Sequence, residues 1–170
     1  MSDPTLYLQE LCNRYGDFKV CTNLKRGGWS KHKSVLWVWE RLDKEGWRLK
    51  KAHHMQILPC WIIIDIDPKK GENDTSVRGR VKRICYDLHF RLQANFICYH
   101  TGGRGYHIHI KRKDLARLSR CKRRVVREKY ISFYGGELQK ASDNVMISIP
   151  GVKHRSSGVK KEVCKWWQMT

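Results

Sequence analysis

Trp61-Ile62-Ile63-Ile64-Asp65-Ile66-Asp67-Pro68 is the stretch around which the rest of the chain can be interpreted. Its four isoleucines predict a buried strand, which Pro68 ends. Side chains two residues apart project to the same face of a strand, so Asp65 and Asp67 should lie side by side. Adjacent carboxylates repel each other unless a cation lies between them, and oxygen ligands favour Mg²⁺ or Mn²⁺. A solvated strand end before a turn is the alternative interpretation.

The composition favours a single domain with a polyanionic partner. The chain has 170 residues, of which 41% are hydrophobic, and we expect one domain over 1–170. A total of 35 Lys and Arg residues against 16 Asp and Glu gives a net charge of +19. This excess is spread along the whole chain, which favours nucleic acid as the partner.

The cysteines and the apolar runs argue against two other classes of protein. The seven cysteines include no C-x₂-C pair, so we expect no zinc site and reduced thiols. No apolar run approaches the length of a membrane span, and no signal peptide is apparent. We therefore expect a cytoplasmic or nucleoid-associated protein without a membrane partner.

Apolar spacing predicts the elements that follow the first strand. In chain order they are a helix over 75–92 with Asp74 as its N-cap, strands over 96–99 and 106–111, a basic helix from about 114 to 130, and strands over 145–149 and 159–166. This order predicts an α/β (α+β) fold with a mixed sheet and helices on one face. Residues 1–55 are expected to form an N-terminal α/β module beside a main module of residues 56–170.

A glycine-rich loop leads into two histidines that share a strand face. In Thr101-Gly102-Gly103-Arg104-Gly105, the glycines allow a close approach of the backbone to a ligand, and successive amides can cradle phosphate. Arg104 adds donors suited to phosphate oxygens. His107 and His109 project from one face of the following strand, while Ile108 and Ile110 point to the core. A simple hairpin with a glycine-rich tip is the alternative.

A third segment, Ile149-Pro150-Gly151-Val152-Lys153-His154-Arg155-Ser156-Ser157-Gly158, places three cationic or titratable side chains in a row. A solvated basic turn would explain it in so basic a chain. Beside the two earlier segments, it is also what the opposite wall of a nucleotide site would require.

In series, these segments resemble the motifs of the archaeo-eukaryotic primase superfamily, which includes primase-polymerases and the polymerase domains of bacterial end-joining ligases. That family has a hydrophobic strand ending in D-x-D, a Gly-rich turn followed by a strand histidine, and a Pro-Gly segment leading to a histidine and a Ser/Thr-Gly pair. The matching residues are Asp65 and Asp67; Thr101, Gly103, Arg104, Gly105 and His107; and Ile149, Pro150, Gly151, His154, Ser157 and Gly158. The resemblance covers about residues 61–165 and implies an RRM-like catalytic sheet.

The resemblance also implies roles for individual residues. Asp65 and Asp67 would hold two catalytic metal ions, with Asp143 as a third acidic ligand and Glu137 as the reserve choice. The nucleotide-binding residues would be Thr101, Gly103, Arg104, Gly105, His107, Lys153, His154, Arg155 and Ser157. The family's lysine just after the last histidine is absent at that spacing, and Arg155 or Lys160 would replace it.

The function implied is DNA-dependent primer synthesis or extension from nucleoside triphosphates by two-metal phosphoryl transfer. The single-stranded template would be tracked by the basic helix and by the N-terminal loop over 23–33. A helicase or an accessory primase domain is a conceivable partner.

Two rival functions remain compatible with the sequence. His107-Ile108-His109 is also a His-hydrophobe-His pattern, as in replication-initiator nicking endonucleases, and Tyr130 or Tyr134 would then be the nucleophile. Alternatively, the chain is a non-catalytic nucleic-acid-binding domain. The nicking hypothesis leaves Asp65, Asp67 and the segment over 150–158 without a role.

Overall fold

The computed structural model of the chain describes residues 4–21, 31–36, 54–154 and 156–169. Its helices are α1 (Pro4–Tyr15), α2 (Asp74–Tyr86) and α3 (Arg120–Tyr134). Its strands are β1 (Lys19–Cys21), β2 (Lys33–Ser34), β3 (His54–Gln56), β4 (Trp61–Ile66), β5 (Phe96–His100), β6 (Tyr106–Lys111), β7 (Met146–Ser148) and β8 (Glu162–Val163). A π-helical turn, Asp87–Arg91, continues α2, and short 3₁₀ turns occupy Lys113–Arg117, Leu138–Ala141 and Trp166–Gln168.

The described strands form two four-stranded sheets, which confirms the α+β class. The first sheet has the order β2-β1-β3-β7 and the second the order β4-β6-β5-β8. Every pairing between these strands is antiparallel, where we expected a mixed sheet. The reason is that β4 and β5, the parallel strands of the β4-α2-β5 unit, are separated by β6, which returns from a tight hairpin and pairs with both.

The segment after α3 joins the two sheets. Strand β7 pairs with β3 in the first sheet, with Met55 opposite Ile147. Strand β8 pairs with β5 at the edge of the second sheet, with Tyr99 opposite Val163. The first sheet therefore contains a strand from beyond α3 as well as strands from the N-terminal part of the chain.

Strand β4, at the edge of the second sheet, contributes side chains to both parts of the hydrophobic core. Its residues Ile62, Ile64 and Ile66 pack with the buried faces of α2 and α3, so the helices cover one face as predicted. Trp61 and Ile63 project to the opposite face and pack with α1 and the first sheet. Asp65 shares this second face by the alternation of the strand, so the carboxylate lies on the side away from α2 and α3.

The helix boundaries differ in detail from the prediction. Asn73, rather than Asp74, is the N-cap of α2, since its side chain accepts a hydrogen bond of 2.8 Å from the Ser76 amide. The apolar face is buried from Val77 to Leu88, but Leu92, which we assigned to the helix, is 50% exposed beyond the π-helical turn. The predicted basic helix divides into a 3₁₀ turn and α3, because Leu118 is extended and Ser119 caps a new helix.

Among the described residues, no helix has both the length and the apolar character needed to cross a membrane.

Candidate active site

The pairing of β4 with β6 brings Asp65 directly opposite His107. The Asp65 Oδ1 atom lies 3.2 Å from His107 Nε2, and both side chains are almost completely buried. On the other carboxylate oxygen, the Lys140 ammonium lies 3.0 Å from Asp65 Oδ2. Burial by itself would raise the pKa of Asp65, but the adjacent His107 and Lys140 outweigh it and hold the pKa below its usual value.

The Lys161 ammonium is buried behind this pair and finds three acceptors. It donates to His107 Nδ1 at 2.9 Å, to His109 Nε2 at 3.4 Å and to the Ser148 carbonyl at 2.8 Å. These contacts match the three N–H groups of an ammonium. Because Nδ1 of His107 accepts, its ring proton belongs on Nε2, which faces Asp65.

Burial disfavours the protonated, positively charged forms of His107 and Lys161. Desolvation, followed by the charge of Lys161, lowers the pKa of His107 to about 4, so its ring is neutral at pH 7. Desolvation likewise lowers the pKa of Lys161 to about 7, although the charge of Asp65 opposes this. A neutral imidazole between a carboxylate and an amine is therefore held in one tautomer and one orientation.

Asp67 and Glu137 complete an acidic group around Asp65. Partial burial and the charge of Asp65 raise the pKa of Asp67, and partial burial with the charges of Asp65 and Asp67 raises the pKa of Glu137. The Glu137 amide donates to the Asp65 carbonyl at 3.3 Å. Gly136 makes this approach possible, since a Cβ there would lie 3.0 Å from the Ile64 side chain and 3.3 Å from the Asp65 carbonyl.

The raised pKa values of Asp67 and Glu137 reflect partial burial and repulsion from neighbouring carboxylates. A divalent cation would relieve this repulsion, and oxygen ligands suit Mg²⁺ or Mn²⁺. In the described part of the chain, no three His, Cys, Asp or Glu side chains lie together closely enough to hold a metal ion. Mg²⁺ commonly uses only one or two carboxylates and takes its remaining ligands from phosphates and water. Asp65 and Asp67 fit such a site, and Asp65 Oδ1 is buried without a well-aligned hydrogen bond among the described residues.

Asp143, the residue that the sequence favoured as a third ligand, is not part of this group. Its carboxylate is bound by Arg123, whose Nη2 lies 2.8 Å from Oδ2, and by the buried Arg127. These two arginines hold the pKa of Asp143 below its usual value, although burial acts in the opposite direction. The ion pairs link α3 to the chain before β7, and Glu137, the reserve choice, is the acidic residue beside Asp65.

The three sequence segments line one cleft of about 690 Å³ next to Asp67. Thr101, Gly103, Arg104 and Gly105 form one wall, and His154, Ser156 and Ser157 form the other, with the Asp67-to-Gly71 turn between them. This volume is in the range of small-molecule sites. The cleft is therefore built from residues that are far apart in the chain.

Close backbone contacts fix the walls of this cleft. The Ser157 hydroxyl donates to the Gly102 carbonyl, and the His154 amide donates to the Val159 carbonyl at 2.7 Å. Gly102 has a φ of 86° and lies against the Val159 carbonyl, so a side chain there would be excluded by both conformation and space. A Cβ at Gly105 would collide with Asp67 Oδ1, so the glycine loop touches the carboxylate directly.

The remaining predicted phosphate ligands occupy different positions. Arg104 lines the cleft but is bound to Asp74 Oδ1 at 3.0 Å and to the Glu72 carbonyl at 2.8 Å. Lys153 is exposed, and its backbone pairs with that of Lys160 in an isolated antiparallel β-bridge. Arg155 lies outside the described residues, as does most of the N-terminal loop over 23–33.

The geometry required by the nicking hypothesis is not present. His109 packs between Trp61 and Tyr99, with ring centroids 5.2 and 4.7 Å away, and the Lys161 ammonium lies where a shared metal ion would bind. Tyr130 and Tyr134 pack on the helix-covered face of the sheet, whereas the two histidines face the other side. A tyrosine nucleophile would thus be separated from the histidine pair by the sheet.

Sequence reasoning missed three residues that shape this site: Lys140, Lys161 and Arg127. Lys140 and Lys161 each follow another cation or polar residue in a basic chain, and no spacing distinguishes them from surface lysines. Arg127 falls within the predicted basic helix, where a surface position was expected, but its side chain is fully buried and donates to the Trp61 and Leu58 carbonyls at 2.8 and 2.9 Å. The sequence did contain one signal for this burial. Arg127 lies four residues before Ile131, so both are on the same face of α3, and that face is buried.

No protein-family model matches the sequence, and no curated protein matches it. Among solved structures, the fold is similar to that of the polymerase domain from Mycobacterium tuberculosis Ligase D in complex with DNA. The TM-score is 0.55 with 9% sequence identity, over 89% of this chain and 64% of that chain. At this identity the similarity shows a common fold, and this chain spans less than two thirds of the length of that polymerase domain.

Proposed function

We propose that this protein is a template-directed nucleotidyltransferase of the primase-polymerase type. It would synthesise or extend primers from nucleoside triphosphates on a single-stranded DNA template. The observation that carries the proposal is the single cleft in which the glycine-rich loop, the His154-to-Ser157 segment and Asp67 meet. The similar polymerase domain of Ligase D was solved in complex with DNA, which supports DNA as the partner of this chain.

The side chains suggest how a triphosphate would be held. Donors of the loop over 101–105 and of Ser156 and Ser157 surround the space beside Asp67, and Lys69 and Lys70 also line it. Asp65 and Asp67 would bind Mg²⁺ or Mn²⁺, which supplies activation of the primer 3′-hydroxyl and neutralises the leaving pyrophosphate. Phosphoryl transfer needs this positioning and charge neutralisation more than covalent participation of the protein.

His107 and Lys161 would act on the orientation of Asp65 rather than on the substrate directly. The His107 Nε2–H group faces Asp65 Oδ1, and the Lys161 ammonium fixes the opposite ring nitrogen. Lys140 balances the charge of Asp65 in the absence of a bound cation, and its 3.0 Å contact would be exchanged for the metal.

A primer-synthesis assay tests the proposal. The protein is mixed with a single-stranded template, with and without a primer, Mn²⁺ or Mg²⁺, and labelled ribo- or deoxyribonucleotides. Asp67→Asn is the decisive variant, because Asp67, although partly shielded beside Asp65, remains accessible to solvent, and its replacement should leave the fold intact. Asp114→Asn is the matched control, since this carboxylate is also exposed and pairs with Arg112 away from the cleft.

We expect labelled products from the wild type and from Asp114→Asn, and at least a 100-fold loss with Asp67→Asn. The labelled sugar that is incorporated would establish the nucleotide preference. Equal synthesis by Asp67→Asn and the wild type would remove Asp67 from catalysis. A cut template attached to Tyr130 or Tyr134, without synthesis, would support the nicking endonuclease instead.

A further inference from the structure

A row of aromatic side chains lies on the surface beside the end of α2. The rings of Tyr86 and Phe90 are 4.5 Å apart, His89 and Phe90 4.6 Å, and His89 and Trp166 5.8 Å. Trp167 extends the row, 5.8 Å from Trp166. The π-helical turn that follows α2 supplies His89 and Phe90, and such turns occur frequently at functional sites.

Three of these rings lie mostly in solvent, whereas Trp166 also packs against the core. Tyr86 is 56% exposed, Phe90 58% and Trp167 60%, while the core face of the same helix is buried. A contiguous group of exposed large aromatic rings is unusual on a soluble domain and commonly marks a binding surface. We call the surface formed by Tyr86, His89, Phe90, Trp166 and Trp167 the aromatic platform.

The charge around the platform favours an anionic partner. The cleft that adjoins Trp166 is lined by the cations Arg78, Lys160 and Lys165, with Glu162 as the carboxylate among its lining residues. A second pocket is lined by both Phe90 and Trp167, and its described lining residues include no carboxylate and no Lys or Arg. Aromatic faces next to cations that can follow a backbone are the arrangement used for single-stranded nucleic acids.

The platform is also continuous with the candidate active site. Val159 lines the cationic cleft, and its carbonyl lies against Gly102 of the glycine-rich loop. Lys165 lines the same cleft and directly precedes the 3₁₀ turn that carries Trp166 and Trp167. A strand that runs from the active-site cleft past the exposed Val159 would thus meet cations first and aromatic faces next.

We propose that the aromatic platform binds single-stranded nucleic acid, with unpaired bases stacked on Phe90 and Trp167 and phosphates bound by Lys160 and Lys165. That this strand is the template on its way to the active site rests on the proposed function, whereas the binding itself does not. Stacking needs bases that are free of a duplex, so the site selects single strands over double-stranded DNA.

The test measures binding without nucleotides or divalent metal. Fluorescence anisotropy follows labelled oligothymidylate, oligouridylate and a DNA duplex of equal length over a range of salt concentrations. The variant Phe90→Ala/Trp167→Ala removes the two stacking faces, and Phe133→Ala is the matched control. Phe133 is 77% exposed on α3 and lies outside the platform, so its loss tests for a general effect of removing surface rings.

We expect the double variant to bind both single strands at least tenfold more weakly, because one stacked ring contributes about 1–3 kcal/mol per base. Duplex binding and the Phe133→Ala variant should be unchanged. Lys165→Ala should reduce the slope of log K against log salt by about one, which Lys19→Ala, at an exposed position of β1 in the other sheet, should not do. The ratio of thymidylate to uridylate affinity would distinguish DNA from RNA as the natural strand.

Single-strand binding by the double variant that equals the wild type would overturn the inference. So would a change in oligomeric state by light scattering with unchanged binding, which would make the platform a protein interface. Asp67→Asn should bind single strands normally. A protein that makes no primer but loses binding with Phe90→Ala/Trp167→Ala would therefore reject the proposed function while supporting the platform.

Discussion

Lys161 shows how one buried cation can organise a site without being part of its reactive surface. Its ammonium has three acceptors, of which His107 and His109 lie on β6 and Ser148 lies on β7. A buried ammonium is tolerable only when its donors are satisfied in this way. The amine therefore fixes the His107 ring and also ties the two sheets together.

Replacing this lysine provides a prediction with an exposed lysine as its control. We expect Lys161→Met to lower kcat/KM for primer synthesis at least tenfold, because the His107 ring loses the donor that fixes its tautomer. Lys19→Met removes an exposed lysine of β1, which lines neither the cleft nor the cationic surface beside it, and it should behave as the wild type.

Nuclear magnetic resonance of the His107 ring supplies a readout that does not depend on synthesis. The wild type should show an unprotonated Nδ1 and a protonated Nε2, and Lys161→Met should show a mixture of tautomers. An unaltered tautomer in Lys161→Met would mean that Asp65 alone orients the ring.

At this scale the sequence predicted some residues well and could not predict others. The period of a strand was enough to place Asp65 and Asp67 on one face and to separate His107 from Ile108. Lys140 and Lys161 reach the site only because the chain folds back from positions far along the sequence. No local pattern contains that information, and the same holds for the choice between Asp143 and Glu137.

Among the elements, the glycine-rich turn between β5 and β6 has the strictest geometry. A Cβ at Gly105 would collide with Asp67 Oδ1, although the backbone of Gly105 has an ordinary negative φ that alanine can adopt. The requirement at this position is thus space for the Asp67 carboxylate and not an unusual conformation.

We therefore expect Gly105→Ala to reduce primer synthesis at least tenfold while changing the melting temperature little. Gly79→Ala is the comparison, because Gly79 lies in α2 with no atom near the position of a Cβ. It should keep full activity and raise the free energy of unfolding by up to about 1 kcal/mol. Full activity of Gly105→Ala would show that Asp67 can move without harm to the chemistry.

The elements themselves were predictable where their pattern was strong. Strands β4 and β6 were located to within a residue, since runs of β-branched and alternating residues have few alternatives. The predicted third helix was divided because Ser119 makes a better start than the residues before it. Not all basic residues of this helix lie on the surface, since Arg127 is buried and Arg123 binds Asp143.

On the scale of the whole molecule, the buried histidines make stability dependent on pH. Desolvation lowers the pKa of His107 to about 4 and lowers that of His109 well below its ordinary value. The unfolded chain takes up these protons near pH 6.5, and the folded chain does so only at much lower pH. Stability should therefore fall as the pH decreases from about 6.5 to about 4, by roughly 3 kcal/mol from His107 alone.

Chemical denaturation at pH 7, 5.5 and 4.5 measures this dependence. The variant His109→Phe keeps the packing between Trp61 and Tyr99 but removes one titrating ring, so it should lose less stability on acidification than the wild type. His89→Gln changes an exposed histidine and should follow the wild type. Parallel curves for His109→Phe and the wild type would contradict the assignment of acid sensitivity to the buried ring.

The arrangement of the two sheets was the least predictable feature. The sequence indicated a strand near residues 145–149, and β7 was found there, but its partner β3 lies about ninety residues earlier in the chain. Pairing over such a distance is decided by which edges remain open once the helices have packed, and that depends on the assembled core.

The pairing of β7 with β3 also determines when the cleft can form while the protein is being translated. The wall of the cleft that contains His154, Ser156 and Ser157 lies in the chain between β7 and β8. Strand β7 has to pair with β3, and β8 has to pair with β5, before this wall is in place. Both pairings join distant parts of the chain, so they form late. As a nascent chain leaves the ribosome, the carboxylate strand and its hairpin can fold first, but the cleft beside Asp67 cannot close until β8 has emerged. An incompletely translated chain would thus present Asp65 and Asp67 without the wall that completes the cleft beside Asp67.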